Sequence, residues 1–181
     1  MWKTDITDSD LIDEEKADFV LAQAKEQLAA TVDDAEAQTR TGVYLLGGLV
    51  TITSGLVGVT AALFDNVHSF AGQRWASILP LLATVIYLGL DIAIVMWSAL
   101  SSKELEHSGN APSNLATQNL FRLELRLIKF AEAIGYEERI KKNHQRNENV
   151  GARINLAIKM ACLAPLVYLA VLLVSRFIFR S

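Results

Sequence analysis

The chain has 181 residues, of which 51% are hydrophobic and 20% charged, with a formal net charge of −3. The charge is unevenly distributed: eleven Asp and Glu residues fall within residues 1–41, most Lys and Arg fall within 101–153, and three long stretches carry almost no charge. Such segregation is typical of a membrane protein rather than a soluble domain, and the remaining polar segments are too short to hold an appended enzyme domain of ordinary size.

Residues 1–41 are predicted to form an acidic helix that leads into the first apolar stretch. Residue types that cap helices occur at Asp8, Ser9 and Asp10, so we expect the helix to begin near Asp10, with acidic residues in its first turn. No Pro or Gly interrupts it before Arg40. Small and apolar residues at steps of three and four give it one face for weak packing: Leu21, Ala24, Leu28, Thr31 and Ala35.

The three apolar stretches are each long enough to cross a membrane, which takes about 20 helical residues. The first two are 42–64 and 75–100. The third begins at 154 and lies in the terminal segment 154–181, which also includes a short C-terminal end beyond the helix. The sequence therefore predicts an all-α integral membrane protein, with 42–100 forming a transmembrane hairpin. Pro80 and Pro165 should bend the second and third helices, either as static features or as hinges.

The basic residues predict the orientation of these helices. Thirteen Lys and Arg residues lie in segments 1–41 and 101–153, against three in the 65–74 loop and at the C-terminus. Because the chain crosses the membrane three times, segments 1–41 and 101–153 lie on the same side. The positive-inside rule makes that side the cytoplasm. We therefore expect a multi-pass protein with a cytoplasmic N-terminus and the C-terminus outside.

The middle segment, 101–153, contains a linker at 108–113 followed by a predicted amphipathic helix. The apolar positions of this helix step by three and four, as in a coiled coil: Ala116, Leu120, Leu123, Leu127, Phe130 and Ile134. Two kinds of packing remain open, on the N-terminal helix of the same chain or on another subunit. We expect the two cytoplasmic segments to form a helical hairpin or a coiled coil.

Four basic residues precede the third span: Arg139, Lys141, Lys142 and Arg146. Near an anionic leaflet each such charge contributes about 1 kcal/mol to membrane attraction. They are candidates for contact with lipid headgroups, although the positive-inside rule alone also accounts for their presence.

The sequence holds little that could carry catalysis. Its three histidines lie on different segments, its single cysteine, Cys162, lies within the third span, and no phosphate-binding or hydrolase motif occurs. We therefore expect no enzyme activity, no metal, no cofactor and no nucleic-acid partner.

Asp91 is the most informative residue, because an ionisable group within a membrane span is a functional candidate by default. It lies about 13 Å from the cytoplasmic end of its helix, and Lys159 lies about 9 Å from the same side of the third, at 1.5 Å per residue. One hypothesis is an ion pair between Asp91 and Lys159. The other is that Lys159 extends alone toward the interface while Asp91 faces a water-filled pore.

The first span carries two neighbouring lines of small residues at four-residue steps. One line consists of Gly47, Thr51 and Gly55, and the other of Ser54, Gly58 and Ala62. Such lines permit close helix packing, and they also suit a pore wall of backbone and hydroxyl groups. Small faces on two sides of one helix favour a homo-oligomer.

Two segments carry a resemblance to a known group of proteins. They are the helix entry Ala35-Glu-Ala-Gln-Thr-Arg-Thr-Gly42 and the stretch Tyr136-Glu-Glu-Arg-Ile-Lys-Lys-Asn-His-Gln-Arg-Asn-Glu-Asn-Val150. With the order of the spans, they resemble the membrane modules of bacterial nucleotide-signalling antiphage effectors, the Pycsar transmembrane effector and SLATT-type families. The resemblance implies a module of the bacterial inner membrane that oligomerises and compromises that membrane when a partner signals infection. Because no cyclic-nucleotide-binding domain is recognisable, it also implies a sensor on another protein or in the cytoplasmic helices.

Two functions follow as expectations. In the first, the protein is an oligomeric inner-membrane channel or membrane-perturbing effector, surrounded by membrane lipids and triggered through its cytoplasmic helices by a protein partner or sensor. In the second, it is a non-conducting anchor or scaffold whose cytoplasmic helices dock a soluble partner. A phage-type holin fits less well, since holins usually have shorter cytoplasmic helices.

Overall fold

The computed structural model describes residues 13–65, 72–100, 105–106 and 124–179. This part of the chain contains three α-helices and no strands: α1 (Glu14–Asp65), α2 (Gly72–Leu100) and α3 (Leu125–Ile178). Their 52, 29 and 54 residues correspond to lengths of about 78, 44 and 81 Å at 1.5 Å per residue. Each helix contains a stretch long and apolar enough to cross a membrane. The predicted all-helical architecture with three span-length helices is confirmed.

The first helix begins later than the sequence suggested. Asp13 lies outside the helix and accepts a hydrogen bond from the backbone N–H of Lys16 at 2.8 Å, which is the geometry of an N-cap. The Lys16 side chain also lies 2.8 Å from the Asp13 carboxylate. These contacts with Lys16 lower the pKa of Asp13. The expected start at Asp10 was therefore wrong, because Asp13 itself supplies the cap.

The chain divides into two compact units. Unit 1 comprises Met1–Glu36 and Lys103–Glu148, and unit 2 comprises Ala37–Ser102 and Asn149–Ser181. Two of the three boundaries, at 36/37 and 148/149, fall five residues before the predicted boundaries between polar and apolar segments at 41/42 and 153/154. The third, at 102/103, falls two residues after the predicted boundary at 100/101. The linker at 108–113 lies outside the described residues.

Within unit 1, α1 packs against α3 of the same chain. Lys129 contacts Glu14 and Asp18 at 3.1 and 2.7 Å, and Asn143 contacts Thr31 at 3.1 Å. Since residue numbers rise together along both helices, the two segments run parallel. The hairpin alternative, which requires antiparallel segments, is therefore wrong. The inward positions on α1 are those predicted: Leu21 and Ala24 are half-buried, and Leu28, Thr31 and Ala35 are buried.

The inward face of α3 in unit 1 differs from the predicted stripe. Leu127 and Phe130 are half-buried, but Ile134 is 43% exposed and its neighbour Ala133 is buried instead. Lys129 also turns inward, because its ammonium group lies between two carboxylates of α1. The prediction for Ile134 was wrong, since the contact with α1 follows Lys129, Ala133 and the buried Tyr136. Ala116, Leu120 and Leu123 lie outside the described part of the chain.

Within unit 2, all three helices bury one face at steps of three and four residues, the spacing of interlocking helices. An apolar cluster forms the centre, composed of Leu49 from α1, Leu88 and Val95 from α2, and Ala157 and Ala164 from α3. The alanines on α3 permit close approach of the neighbouring helices. At one end of the unit, the rings of Phe64 and Trp75 meet edge to face at 5.9 Å.

The helices of unit 2 continue through Pro80 and Pro165, and at Pro80 a neighbouring helix compensates for the lost hydrogen bond. Pro80 lacks an N–H group, so the carbonyl of Ala76, four residues earlier, has no helical donor. Ser175 of α3 donates a hydrogen bond to this carbonyl at 2.9 Å. In an apolar environment an unpaired carbonyl is costly, so this contact stabilises the packing of α2 on α3.

The contact between Ser175 and Ala76 can be tested by a double-mutant cycle. We expect Ser175→Ala to reduce the stability of the wild-type protein by about 0.5–1.5 kcal/mol. In a Pro80→Ala background the same change should cost close to nothing, because residue 80 then donates to Ala76 itself. Unfolding in detergent measures both values, and equal costs in the two backgrounds would contradict the assignment.

The ion pairs of Lys129 predict a salt-sensitive contact. Asp18 and Glu14 raise the pKa of Lys129 above its ordinary 10.5, so the contribution persists below pH 10.5 and disappears only as pH rises through the higher value. We expect Lys129→Glu to speed backbone amide exchange in residues 17–35, most strongly at low salt. Adding Glu14→Lys and Asp18→Lys should restore protection. A charge reversal without effect at low salt would show that the pairs do not hold unit 1 together.

Candidate functional site

The candidate site is the carboxylate of Asp91, in the middle of the apolar face of α2. Asp91 is 0% exposed, and its neighbours on the same face, Leu88 and Val95, belong to the central apolar cluster. Neither carboxylate oxygen has a hydrogen-bond partner among the described residues. A carboxyl group enclosed in this way is costly to keep, so its presence needs a reason beyond packing.

Two contacts between α2 and α3 establish the level of Asp91 in unit 2. Ser98 donates a hydrogen bond to the carbonyl of Val150 at 3.3 Å, and Tyr87 donates to the carbonyl of Met160 at 3.1 Å. Asp91 lies between Ser98 and Tyr87 on α2, and interpolation between their contacts places it opposite Ala157 of α3. Ala157 is itself 0% exposed, so α3 presents a methyl group at the level of the carboxylate.

Lys159 lies about 3 Å beyond the level of Asp91 along α3, at 1.5 Å per residue, rather than short of it as the residue count suggested, and it lies on the wrong side of the helix. It is two residues beyond Ala157, which is about 200° around a helix with 3.6 residues per turn. Its side chain is accordingly exposed, and no ion pair with Asp91 forms. The ion-pair hypothesis is therefore wrong for this arrangement. The pore-facing alternative is not realised either, because Asp91 points into the chain's own core.

The small residues of α1 lie on its outer surface. All six candidate residues are exposed: Gly47, Thr51, Ser54, Gly55, Gly58 and Ala62. No described side chain or neighbouring helix comes within 4 Å of a Cβ atom built at Gly47, Gly55 or Gly58. The contacts of α1 within unit 2 use other residues, including Leu49 and its partly buried neighbours Leu46 and Leu56. Among the described residues, the three glycines are thus not used for close packing between helices.

The four candidate headgroup residues differ in their surroundings. The Arg139 guanidinium lies 5.2 Å from the centre of the Tyr136 ring. Lys142 pairs with Glu138 at 3.1 Å, and Arg146 donates a hydrogen bond to Asn147 at 3.3 Å. Lys141 is exposed. Three of the four thus contact protein groups, and lipid contact stays a prediction.

No metal-binding cluster occurs among the residues that the structure describes. No three His, Cys, Asp or Glu side chains there lie close enough to share a metal ion. His144 pairs with Glu148 at 3.2 Å, and Cys162 is a free, exposed thiol. The other two histidines, His68 and His107, lie outside the described ranges.

The sequence interpretation missed a set of polar residues that lie on the inward faces. Asn143 and Asn147 are buried in unit 1, and Ser98 and Ser175 are buried in unit 2. Each continues a three-and-four spacing begun by apolar residues, as in Ala133, Tyr136, Ile140, Asn143 and Asn147. The sequence alone would have identified these residues if the three-and-four spacing of the inward positions had been continued through polar residues as well as apolar ones.

No protein-family model, curated protein or solved structure matches this chain. Its two principal features are the enclosed carboxylate of Asp91 and the unused small surface of α1.

The isolation of Asp91 predicts that removing its carboxyl group stabilises the protein. We expect Asp91→Val, which is apolar and similar in size, to raise the free energy of unfolding in detergent by about 1–4 kcal/mol. Lys159→Gln should have little effect, and the two changes should be additive within about 0.5 kcal/mol. A clear loss of stability in Lys159→Gln that disappears in the double variant would instead show that the two residues interact.

Proposed function

We propose that the protein is an oligomeric inner-membrane channel or membrane-perturbing effector whose trigger acts on unit 1. The observation that carries this proposal is the carboxylate of Asp91, enclosed in an apolar layer without a partner among the described residues. A purely structural three-helix anchor would be more stable with an apolar residue at this position. Retaining the carboxyl group is explained if a second arrangement of the helices brings it to water or to an ion.

The described arrangement corresponds, in this proposal, to the closed state. The helices of unit 2 meet through an apolar cluster, and the inward alanines of α3 leave Asp91 no contact with solvent. Opening would rotate or separate α2 from α3 and expose the carboxylate to a conducting path. The cost of burying Asp91 would then favour opening once the trigger is applied.

The outer face of α1 provides the surface for assembly. Gly47, Gly55 and Gly58 contact no neighbouring helix among the described residues. Together with Thr51, Ser54 and Ala62 they form lines at the four-residue spacing that lets two helices approach closely in a membrane. Large apolar residues cover much of the remaining exposed surface of unit 2, as expected for contact with lipid tails. We propose that copies of the chain pack through the small residues of α1 and form a closed ring.

The biological setting is proposed from the resemblance to antiphage membrane modules. In this setting unit 1 lies in the cytoplasm and receives an infection signal from a protein partner, and the assembled helices then compromise the inner membrane in antiviral defence. The basic residues of α3 near the span, including the exposed Lys141, would contact anionic headgroups.

A second candidate, a non-conducting scaffold, is favoured by one observation in unit 1. Phe19 of α1 is 66% exposed and Val20 is 38% exposed, outside the predicted span. An aromatic side chain on an acidic helix could anchor a soluble partner. This function needs no role for Asp91, which separates it from the channel.

The two candidates differ in ion flux across liposomes containing the purified protein. For a channel we expect flux that falls at least tenfold in Asp91→Asn, while Lys159→Gln, which changes a charge at similar depth on an exposed face, conducts like the wild type. Flux unaffected by Asp91→Asn would remove that residue from the mechanism. Well-folded protein that conducts under no condition and is monomeric in detergent would favour the scaffold.

The assembly surface is tested by the same preparations. Gly55→Leu and Gly58→Leu should fold, since space is open at both positions, but should shift the particle mass in detergent toward the monomer and abolish flux. Gly89→Leu is the matched control, because Gly89 is an exposed glycine of α2 with equally open surroundings. Equal effects of all three changes would show that α1 holds no special surface.

A further inference from the structure

Unit 1 carries an acidic face on the side of α1 that points away from α3. Its centre consists of Phe19, Glu26 and Asp33, each of which lies two residues from an inward position on either side, about half a turn around the helix. All three are exposed, Phe19 by 66%. Residues 14–36 carry seven acidic and two basic side chains. An exposed aromatic ring among carboxylates suits a partner with an apolar patch and positive charge.

The side of α3 that points away from α1 in unit 1 has the complementary composition. This outer face of α3 consists of four exposed residues: Ala131, Ile134, Lys142 and Gln145. Residues 125–148 carry six basic and four acidic side chains. Glu138, on the same side, pairs with Lys142 at 3.1 Å, and the lysine keeps further donors for other carboxylates. Each copy of the chain therefore presents an acidic face on α1 and an apolar and basic face on α3.

Contacts between α1 and α3 establish which residues share a level along the two helices. The hydrogen bond between Asn143 and Thr31 and the ion pair between Lys129 and Asp18 join residues that are 112 and 111 positions apart. Residue n of α1 thus lies level with residue n+112 of α3. A rotation axis parallel to the helices keeps every residue at its level, so the same rule applies between neighbouring copies in a ring.

We propose that the acidic face of α1 in one copy packs against the outer face of α3 in the next copy, so that the chains join head to tail around the ring. This inference rests on the assembly of copies proposed above and identifies the surface that receives α1. Ile134 lies level with Ala22, whose small side chain leaves room for it, and about one turn from Phe19. The apolar residues of the two faces therefore meet at the same height.

The polar residues of the two faces also match in level. Lys142 lies level with residue 30, between Glu26 and Asp33, each about one turn away. Gln145 lies level with Asp33 and offers its amide N–H groups to that carboxylate. Two copies of α1 packed on each other would instead place Glu26 and Asp33 against the same carboxylates, and like charges across an interface cost free energy. The acidic face therefore favours α3 of the next copy over α1.

Unit 2 supports the same pairing independently. A Cβ atom built at Gly42 of α1 would lie 3.7 Å from the side chain of Ile154 of α3, so the two helices again share levels at a separation of 112 residues. Two exposed leucines of α3 lie level with small residues of α1: Leu163 with Thr51, and Leu166 with Ser54. Large side chains on one surface and small ones on the other let the helices of neighbouring copies interlock.

Disulfide trapping in the full-length protein tests this pairing. The background is Cys162→Ala, which removes the single thiol of the chain. Adding Ala22→Cys and Ile134→Cys to one chain puts thiols on both faces at the same level, where they point away from each other within the chain. We expect oxidation in liposomes to give a ladder of covalent dimers and higher species, while each single variant stays monomeric on a denaturing gel.

The matched control moves one thiol out of level. Ala22→Cys with Gln145→Cys uses the same two faces, but Gln145 lies 11 residues beyond Ile134, about 16 Å along the helix at 1.5 Å per residue. We expect at least fivefold less crosslinked protein from this pair. Equal yields from the two pairs would show that the crosslinks arise from random collisions and would overturn the pairing.

A charge exchange gives a second measurement that does not depend on disulfide geometry. At low salt, Asp33→Lys should raise the concentration at which half of the oligomer dissociates in detergent by at least threefold. Adding Gln145→Glu should restore the wild-type value, because a carboxylate on α3 then meets the new lysine. Asp34→Lys, on an exposed flank of the same helix, is the control and should not be restored by Gln145→Glu.

The outcomes separate this pairing from the proposed function. A covalent dimer from Ala22→Cys alone would show that α1 meets α1, and an oligomer that gives neither the ladder nor the charge rescue would exclude α3 as the receiving surface. Either result overturns the pairing and leaves the assembly of copies standing. A wild-type protein that is monomeric in detergent and in liposomes would overturn both.

Discussion

The register between α2 and α3 in unit 2 depends on a few hydroxyl groups that donate to backbone carbonyls. Ser175 satisfies the carbonyl that Pro80 leaves without a helical donor, and Ser98 and Tyr87 donate to α3 further along. In a hydrocarbon environment such bonds have no competition from water, so sliding or rotating one helix against the other would leave several groups unpaired. This constraint determines which face of α2 is enclosed. Asp91 is buried because it shares that face.

The sequence was sufficient for the number and type of the helices, because long uncharged stretches have few other structures available to them. Counting residues along the helices also placed Asp91 and Lys159 within about one helical turn of each other, although it reversed their order. It was insufficient for the direction of the side chains around the helix axis. Lys159 lies about 200° from the buried Ala157, and only the packing of α3 against α2 shows which of the two faces inward.

The inward face of α3 in unit 1 shows a second limit of sequence reasoning. Apolarity alone selected Ile134, whereas the contact with α1 passes through Lys129 and Ala133 and continues through Asn143. A lysine can occupy an inward position when carboxylates of the facing helix meet its ammonium group, and an asparagine can when its amide is fully bonded. Both conditions depend on residues far away in the chain, more than a hundred positions for Glu14, Asp18 and Thr31 and 37 positions for Glu106, so a local pattern does not contain them.

Three threonines of unit 2 satisfy their hydroxyl groups within their own helices. Thr51, Thr60 and Thr84 each donate their hydroxyl to a carbonyl four residues earlier on the same helix, at 2.8, 2.7 and 2.7 Å. Their polar groups are therefore satisfied as soon as each helix has formed, and Thr51 adds little polarity to the outer surface of α1. In the proposed membrane setting, these threonines would add no unpaired hydroxyl group when each helix enters the lipid phase alone. If copies of the chain assemble as proposed, insertion and assembly would then be separate steps.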